Sequence, residues 1–351
     1  MTLMSSFIIL LMYTAMLSGC GNLAGEMREP GYVQDLNAGC RKRDGQECLR
    51  LPIYRGFSLD LRRGALTVRQ GTLLVTTNCG IAQIDIFSGR TTFPLKRVCT
   101  DRNETLGITT HGSDIYVTDR MRHLVVKVDL ATGKKTLIAG GNEEGWLDGP
   151  GEQALFSAPT DITTDGNNLY VADTGNHRIR QINLATREVS TIAGTGERGL
   201  EDGIGEKALF SSPQGITLYE DALYVMDGNQ RIRKVSPSTR EVSTVSDRMW
   251  SAASGLTIHE GKVYAAGHVS ILTVDLSTGK VVTVAGGLGN IFTWSSPVTN
   301  PYAVTRVGDI IYILDTAKNY GRSGRIHKLD IATGTLSTMA GHIAEPLSGW
   351  Q

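Results

Sequence analysis

The chain has 351 residues, with 35 Lys and Arg against 35 Asp and Glu, 41 Gly, 10 Pro and 5 Cys. Zero formal net charge removes the usual electrostatic basis for binding a nucleic-acid backbone, and Gly and Pro are too few for a collagen-like or low-complexity chain. Abundant Gly with only 6% aromatic residues indicates many tight turns and argues against long helices.

Residues 1–19 have the composition of a secretion signal. They carry no charged side chain, and the apolar run from Phe7 to Leu17 fits the ~7–15-residue core of a signal peptide, whereas a spanning helix needs ~20 residues. The run ends in Leu17-Ser18-Gly19-Cys20, which resembles a bacterial lipobox. The resemblance implies that Cys20 carries a diacylglycerol thioether and that the protein is anchored in the cell envelope, at the periplasmic face of the outer membrane. An ordinary cleaved signal and an uncleaved anchor are the alternatives.

Residues 20–56 are polar and rich in Gly, so we expect a flexible tether between the lipid and the folded body. With Cys20 lipidated, four cysteines remain, and an even number in an exported protein favours two disulfides. The spacings of Cys40 and Cys48, and of Cys79 and Cys99, match no C-x₂₋₄-C zinc pattern. Three disulfide pairings are possible from the count alone.

The body of the chain is one unit repeated six times. Each unit contains four short β-branched runs separated by Gly, Asp, Asn and Ser turns, and its first strand carries an equivalent threonine in every copy. These threonines are Thr67, Thr109, Thr163, Thr217, Thr257 and Thr305. Four strands in ~40–50 residues per repeat predict an all-β fold, a six-bladed β-propeller with four-stranded blades over residues 57–345.

Two strings make the resemblance more specific. They are D-T-G-N-H-R-I-R at 173–180 and D-G-x-G-E-x-A-L-F-S-x-P, which occurs at 148–159 and again 54 residues later. Both resemble the NHL repeat, and the similarity extends over residues 64–341. The resemblance implies six blades, and because every unit has all four strands, no blade needs a strand from the other terminus.

Three recurring patterns have structural interpretations. The repeated threonine is a β-branched residue on a crowded inner strand, which we favour over a ring of catalytic hydroxyls. Asp173 with Arg178, and Asp227 with Arg231, flank one hairpin turn each and are predicted to be ion pairs that hold the turn, worth ~0–1 kcal/mol if exposed. D-G-x-G-E lacks the alternating Asp and Asn of a calcium loop, so it indicates a turn.

The propeller axis offers few groups for chemistry. Six-bladed enzymes such as the peptidyl-amidating lyases and the gluconolactonase group place metal ligands where the inner strands reach the axis, and such a site needs three or more convergent ligands. The six axial positions here provide one carboxylate, Asp161, among Gly and Ala. We therefore predict no metal, no cofactor and no catalytic residue, and keep an exported metal-dependent hydrolase or lyase as the alternative. Asp161 with Gln214 and Tyr302 is a candidate site for a small polar ligand.

The upper face is the better candidate for function. In a propeller, the turn between the second and third strands and the linker to the next blade lie at the same end, and the linkers 140–160, 194–213 and 286–300 are long. Trp146 and Trp294 lie in two of them, near the turn that carries His177 and Arg178, and could either anchor a partner or pack on neighbouring blades. We predict a rigid platform that binds an envelope protein, peptide or glycan.

The propeller geometry also selects a disulfide pairing. Cys79 lies in the second turn of the first blade and Cys99 in its outgoing linker, so both are predicted on the upper face, and we expect them to pair. Cys40 and Cys48 would then close a short loop in the tether.

Overall fold

The computed structural model describes residues 65–77, 80–92, 105–141, 143–228, 230–246, 249, 253–267, 269–286, 298–316 and 324–341. All of them belong to one compact unit, Arg55–Gln351. The predicted signal, Cys20, the tether with Cys40 and Cys48, the pair Cys79 and Cys99, and Trp294 lie outside the described residues, so those expectations stay predictions. Within these ranges no helix is long and apolar enough to cross a membrane.

The described residues form six antiparallel sheets, each built from consecutive strands of the chain. The sheets are blade 1 (β1 Leu66–Arg69, β2 Thr72–Thr77, β3 Gly80–Asp85, β4 Thr91–Thr92), blade 2 (β5 Thr105–His111, β6 Asp114–Asp119, β7 Leu124–Val128, β8 Lys135–Gly140), blade 3 (β9 Gly149–Pro150, β10 Asp161–Thr164, β11 Asn168–Asp173, β12 Arg178–Asn183, β13 Glu188–Ala193), blade 4 (β14 Gly203–Ile204, β15 Gly215–Tyr219, β16 Ala222–Asp227, β17 Arg231–Val235, β18 Glu241–Thr244), blade 5 (β19 Ala253–His259, β20 Lys262–Gly267, β21 Ser270–Asp275, β22 Val281–Gly286) and blade 6 (β23 Pro301–Val307, β24 Ile310–Thr316, β25 Gly324–Asp330, β26 Leu336–Gly341). Two short 3₁₀ turns lie at Thr174–Asn176 and Gly205–Lys207.

The six sheets close into a ring, as predicted. Inner strands of consecutive blades contact one another, and β1 contacts β23, which joins the first blade to the last. Six separate clusters of buried apolar side chains lie one at each junction between neighbouring blades. Because each blade buries both faces in this way, its central strands are apolar with weak alternation.

Two blades have a strand that sequence analysis did not predict. β9 pairs with β13 and β14 pairs with β18, so the linkers into blades 3 and 4 each add a short fifth strand to the outer edge. The same linkers place Phe156 and Phe210, both fully buried, in the junctions with the preceding blade. The long linkers are therefore structural parts of the blades as well as loops of the upper face.

The small residues at the axis have a packing role. A Cβ at Gly107 would lie 2.6 Å from the Cα of Asp161, and a Cβ at Gly255 would lie 2.7 Å from the Cα of Ala303. Neighbouring inner strands approach too closely at these points for a larger residue. The ring of Gly and Ala thus follows from strand packing at the axis.

Candidate functional site

A buried arginine holds the upper end of blade 3 together. Arg180 lies on β12 with a fully buried side chain, and its guanidinium contacts Asp173 at 2.8 Å and Asp148 at 2.6 Å. Two carbonyls of the incoming linker, those of Leu147 and Leu155, each accept a further bond from it at 2.9 Å. The expected ion pair of Asp173 with Arg178 is therefore wrong. Both residues are register neighbours across the hairpin, but the ion pair is diagonal and buried.

Blade 4 repeats this arrangement with equivalent residues. Arg233 is fully buried and contacts Asp227 at 3.4 Å and Asp202 at 2.9 Å, so the predicted pair of Asp227 with Arg231 is also wrong. Each buried guanidinium lies over a phenylalanine ring of the linker, 4.9 Å from the ring centroid. An arginine at one place in two repeats was the available sequence signal for this network, and sequence analysis missed it.

The D-G-x-G-E loop does more than turn the chain. Asp148 accepts bonds from the backbone N–H of Thr191 at 2.8 Å and from its hydroxyl at 3.1 Å, besides its contact with Arg180. Asp202 contacts Thr244 in the same way in blade 4, at 2.9 and 2.8 Å. Because each aspartate joins the linker to the outer strand and to the buried arginine, the interpretation of this motif as turn chemistry alone was incomplete.

Trp146 is held at the upper face by its neighbours in the chain while its ring faces solvent. The backbone N–H of Gly145 donates to the carbonyl of Phe156 at 3.1 Å, and Asn176 Nδ2 donates to the carbonyl of Gly145 at 2.6 Å. Trp146 is 61% exposed, with the Arg178 guanidinium 4.5 Å from its ring centroid. The alternative in which Trp146 packs on a neighbouring blade is thereby corrected, because a ring this exposed is not part of a core.

Arg178 is itself fixed. It is buried, and its Nη2 donates to the carbonyl of Thr195 in the next linker at 2.6 Å. A Cβ at Gly196 would lie 2.3 Å from its Nη1, so the glycine gives the guanidinium its space. A planar cation in a fixed position is a good support for an indole ring, and such stacking contributes ~0.5–1 kcal/mol at exposed sites. Trp146 is therefore preorganised.

His177 joins its blade to the next one. Its backbone has φ 53°, and its Nδ1 accepts a bond from the backbone N–H of Ser212 at 2.9 Å. His123 does the same one blade earlier, accepting from the N–H of Ala158 at 3.0 Å. Burial, together with the positive charge of nearby arginines, lowers the pKa of His177 and favours the neutral ring that can accept this bond. The bond from Ser212 to His177, which we call the His177 clasp, therefore ties blade 3 to the linker that enters blade 4.

The structure brings Asp161, Gln214 and Tyr302 together at the axis of the propeller, where sequence analysis placed them. All three line one cavity of about 290 Å³ between the inner strands. The two carboxylate oxygens of Asp161 accept bonds from the backbone N–H groups of Ile162 and Ile216, both at 2.9 Å. Burial raises the pKa of Asp161 to about 7, although these two bonds act in the opposite direction.

The six repeated threonines, which sequence analysis explained by strand conformation alone, all line the wall of this cavity. All six are partly exposed. Among the residues that the structure describes, no three His, Cys, Asp or Glu side chains come together as a metal-binding group. The cavity thus combines the threonine hydroxyls with the side chains of Arg120, Asp161, Gln214 and Tyr302 and with apolar residues of the inner strands.

Fold and site define the class: a six-bladed β-propeller with buried Asp–Arg contacts at the upper face. The family model of the NHL repeat matches residues 156–182, which include the linker phenylalanine and the turn of His177. The "Protein SUPPRESSOR OF QUENCHING 1, chloroplastic" of Arabidopsis thaliana is 32% identical over 130 residues, 34% of this chain and 12% of that protein. "NHL repeat-containing protein 2" of Homo sapiens is 31% identical over 146 residues, 38% of this chain and 20% of that protein. The chain is thus a six-bladed β-propeller that contains an NHL repeat.

The matches cover a fifth or less of each of these two relatives. Among solved structures, a chain of the crystal structure of a nidogen/laminin complex aligns with a TM-score of 0.55 at 16% identity, covering 79% of this chain and 93% of that one. Similarity at this identity supports the fold alone. An NHL propeller is consistent with a platform that binds a protein partner.

Proposed function

We propose that this protein is an envelope lipoprotein whose propeller binds a protein, peptide or glycan partner through the upper face of blades 3 and 4. The observation that carries the proposal is the exposed ring of Trp146 on the buried Arg178, with a centroid distance of 4.5 Å. Tryptophan is the residue type most enriched among residues that dominate binding energy, because it buries a large area with few rotatable bonds. Stacking on Arg178 contributes only ~0.5–1 kcal/mol, so stability alone gives little reason to expose the ring.

The surface around Trp146 continues the same character. Leu147 and Leu200 are exposed in the two linkers. Leu200 is the repeat equivalent of Trp146. Exposed apolar side chains in loops that a rigid scaffold positions are typical of binding surfaces.

Site-specific photocrosslinking tests the platform. A photoreactive phenylalanine analogue at position 146 of the full-length protein should crosslink to a discrete partner in intact cells. The matched control places the analogue at Phe87, which is 89% exposed in the turn between β3 and β4, at the lower end of blade 1. Products at 146 that also form at 87, or no product at 146, would contradict a specific upper-face partner.

A binding variant then measures the contribution of the ring. Trp146→Ala should lower the affinity for the crosslinked partner at least roughly thirtyfold, which is a loss of about 2 kcal/mol or more in binding free energy. Its melting temperature should stay close to that of the natural protein because the ring is exposed. Leu200→Ala is the matched control and should have a smaller effect on binding.

The lipid anchor is tested separately. The proposal expects Cys20 to be acylated, so a clickable fatty-acid analogue should label the natural protein and leave Cys20→Ser unlabelled. Cys48→Ser should keep the label, since that residue is assigned to the tether loop. Absence of label in the natural protein would remove the anchor and leave the binding surface to be judged by the crosslinking result.

A further inference from the structure

The axial cavity carries a ring of hydroxyl groups without partners. Within the described part of the chain, the hydroxyls of all six repeated threonines have no hydrogen-bond partner, and all six threonines line the cavity. The Gln214 side-chain amide lines the upper end of the same cavity and is likewise unpaired among the described residues. These seven unpaired polar side chains indicate that the cavity holds a ligand or water.

Packing alone does not account for threonine at this position. The residue just before each threonine is a buried Leu, Ile or Val that belongs to a junction between blades, so apolar packing is already provided there. These residues are Leu66, Ile108, Ile162, Ile216, Leu256 and Val304. Valine has nearly the shape of threonine and at least equal β-propensity, so an inner strand that needed only a β-branched residue had no need of a hydroxyl.

The cavity has the size of a small metabolite. Its volume of about 290 Å³ is close to the lower end of the range of roughly 300–1,000 Å³ for small-molecule sites. At roughly 30 Å³ for each water of the liquid, it would hold about ten waters or a ligand with about a dozen non-hydrogen atoms.

The polar groups of the wall define the chemical class. A hydroxyl both donates and accepts, so a ring of hydroxyls recognises other hydroxyls without selecting a charge. Both oxygens of Asp161 are already bonded to backbone N–H groups at 2.9 Å, which leaves that carboxyl less available for a cationic ligand. Gln214 adds one more neutral donor and acceptor. Arg120 also lines the cavity but already interacts within the protein, so, like Asp161, it is less available to a charged ligand.

We propose that the axial cavity binds an uncharged polyhydroxylated molecule the size of a monosaccharide or cyclitol, held by the threonine ring and Gln214. This site is separate from the Trp146 surface and does not depend on the partner proposed for it. Trp146→Ala should therefore leave binding in the cavity unchanged.

Saturation-transfer NMR tests the proposal on the full-length protein in a detergent without a sugar headgroup. The probes are glucose, galactose and myo-inositol, each with 12 non-hydrogen atoms. At least one should receive saturation from the natural protein. Thr163→Val with Thr217→Val keeps the shape of the wall and removes two hydroxyls, so it should weaken binding about tenfold, at a loss of roughly one weak hydrogen bond each.

Two further variants keep the outcome decisive. Thr136→Val, on the outer strand β8 and far from the axis, also removes an unpaired hydroxyl among the described residues and should leave binding unchanged. Gln214→Leu should weaken binding if the double variant does not fold. No transfer to any of the three probes would mean a channel filled by water alone, and equal transfer in natural protein, double variant and Gln214→Leu would exclude the ring; either result overturns the proposal.

Discussion

Arg180 and Asp173 form an ion pair in which both side chains are fully buried, with Nη1 of the arginine 2.8 Å from Oδ2 of the aspartate. The arginine also contacts Asp148, so one guanidinium on β12 joins the end of β11 to the linker that enters the blade. Its Nε finds no partner in the described structure, and the same holds for Arg233 one blade later. Two blades thus depend on a buried cation that is held by two carboxylates.

Replacing this arginine should be costly. Arg180→Met keeps much of the volume but leaves Asp173 buried without its cation, so we expect a loss of ~3–5 kcal/mol in the free energy of unfolding. Adding Asp173→Asn should recover part of that loss, because the uncompensated charge is then absent. Lys127→Met is the control, since its pair with Asp114 is partly exposed and should be worth ~0–1 kcal/mol. Urea unfolding measures all three, and equal losses for Arg180→Met and Lys127→Met would contradict the assignment.

The clasp at His177 should weaken in acid. Its pKa lies below the ordinary 6.5, so the folded protein binds fewer protons than the unfolded chain, and the contribution of the clasp falls as the pH drops below about 6.5. His177→Asn tolerates the left-handed backbone and does not titrate. We expect this variant to cost ~1–3 kcal/mol at pH 7.5 and progressively less at lower pH.

The pH dependence of that difference is the measurement. Thermal unfolding of natural protein and variant across pH 5–7.5 should converge in acid, and an NMR titration of the His177 ring should give a midpoint below 6.5. A difference that grows as the pH falls would show that the charged ring is the bonded form.

Asp161 should titrate near neutrality. Burial raises its pKa from 3.8 to about 7, so its folded form keeps a proton that the unfolded chain has already lost. The associated stability is present below pH ~4 and is lost as the pH rises towards about 7. Relative to Asp161→Asn, the natural protein should therefore become less stable across this interval. Carboxyl NMR of labelled aspartate should show one midpoint close to 7, and a midpoint near 4 would contradict the desolvation that we infer.

The close approach of inner strands predicts opposite effects for one substitution at two glycines. Gly107→Ala would place a Cβ 2.6 Å from the Cα of Asp161, and such overpacking should cost ~1–3 kcal/mol. Gly141→Ala meets no atom within 4 Å and needs no left-handed backbone, so it should be neutral or stabilising by ~0.4–1 kcal/mol. Melting temperatures separate the two, and a harmless Gly107→Ala would mean that the inner strands can move apart.

Sequence analysis predicted the six blades and nearly every strand. The β-branched runs of the repeat are strands, as LYVAD at 169–173 in β11 and LYVMD at 223–227 in β16 illustrate, while the fourth strand of blade 1 is only the two-residue β4. These features depend on local alternation and turn chemistry repeated along the chain, so the periodicity amplifies a signal that one copy would give weakly. Asp161, Gln214 and Tyr302 line one cavity for the same reason, because the starts of the inner strands meet at the axis of a ring, and the ligand expected there stays a prediction.

The partners of individual side chains were decided only by the tertiary structure. Asp173 faces Arg178 in the hairpin register, yet it bonds to Arg180. The reason is that the incoming linker gives the buried Arg180 guanidinium three further acceptors that the turn does not offer. The exposure of Trp146 depends on a linker path fixed by contacts between residues 25–43 positions apart. Repeat periodicity determines where strands lie, whereas the orientation of a side chain depends on which distant backbone groups reach it.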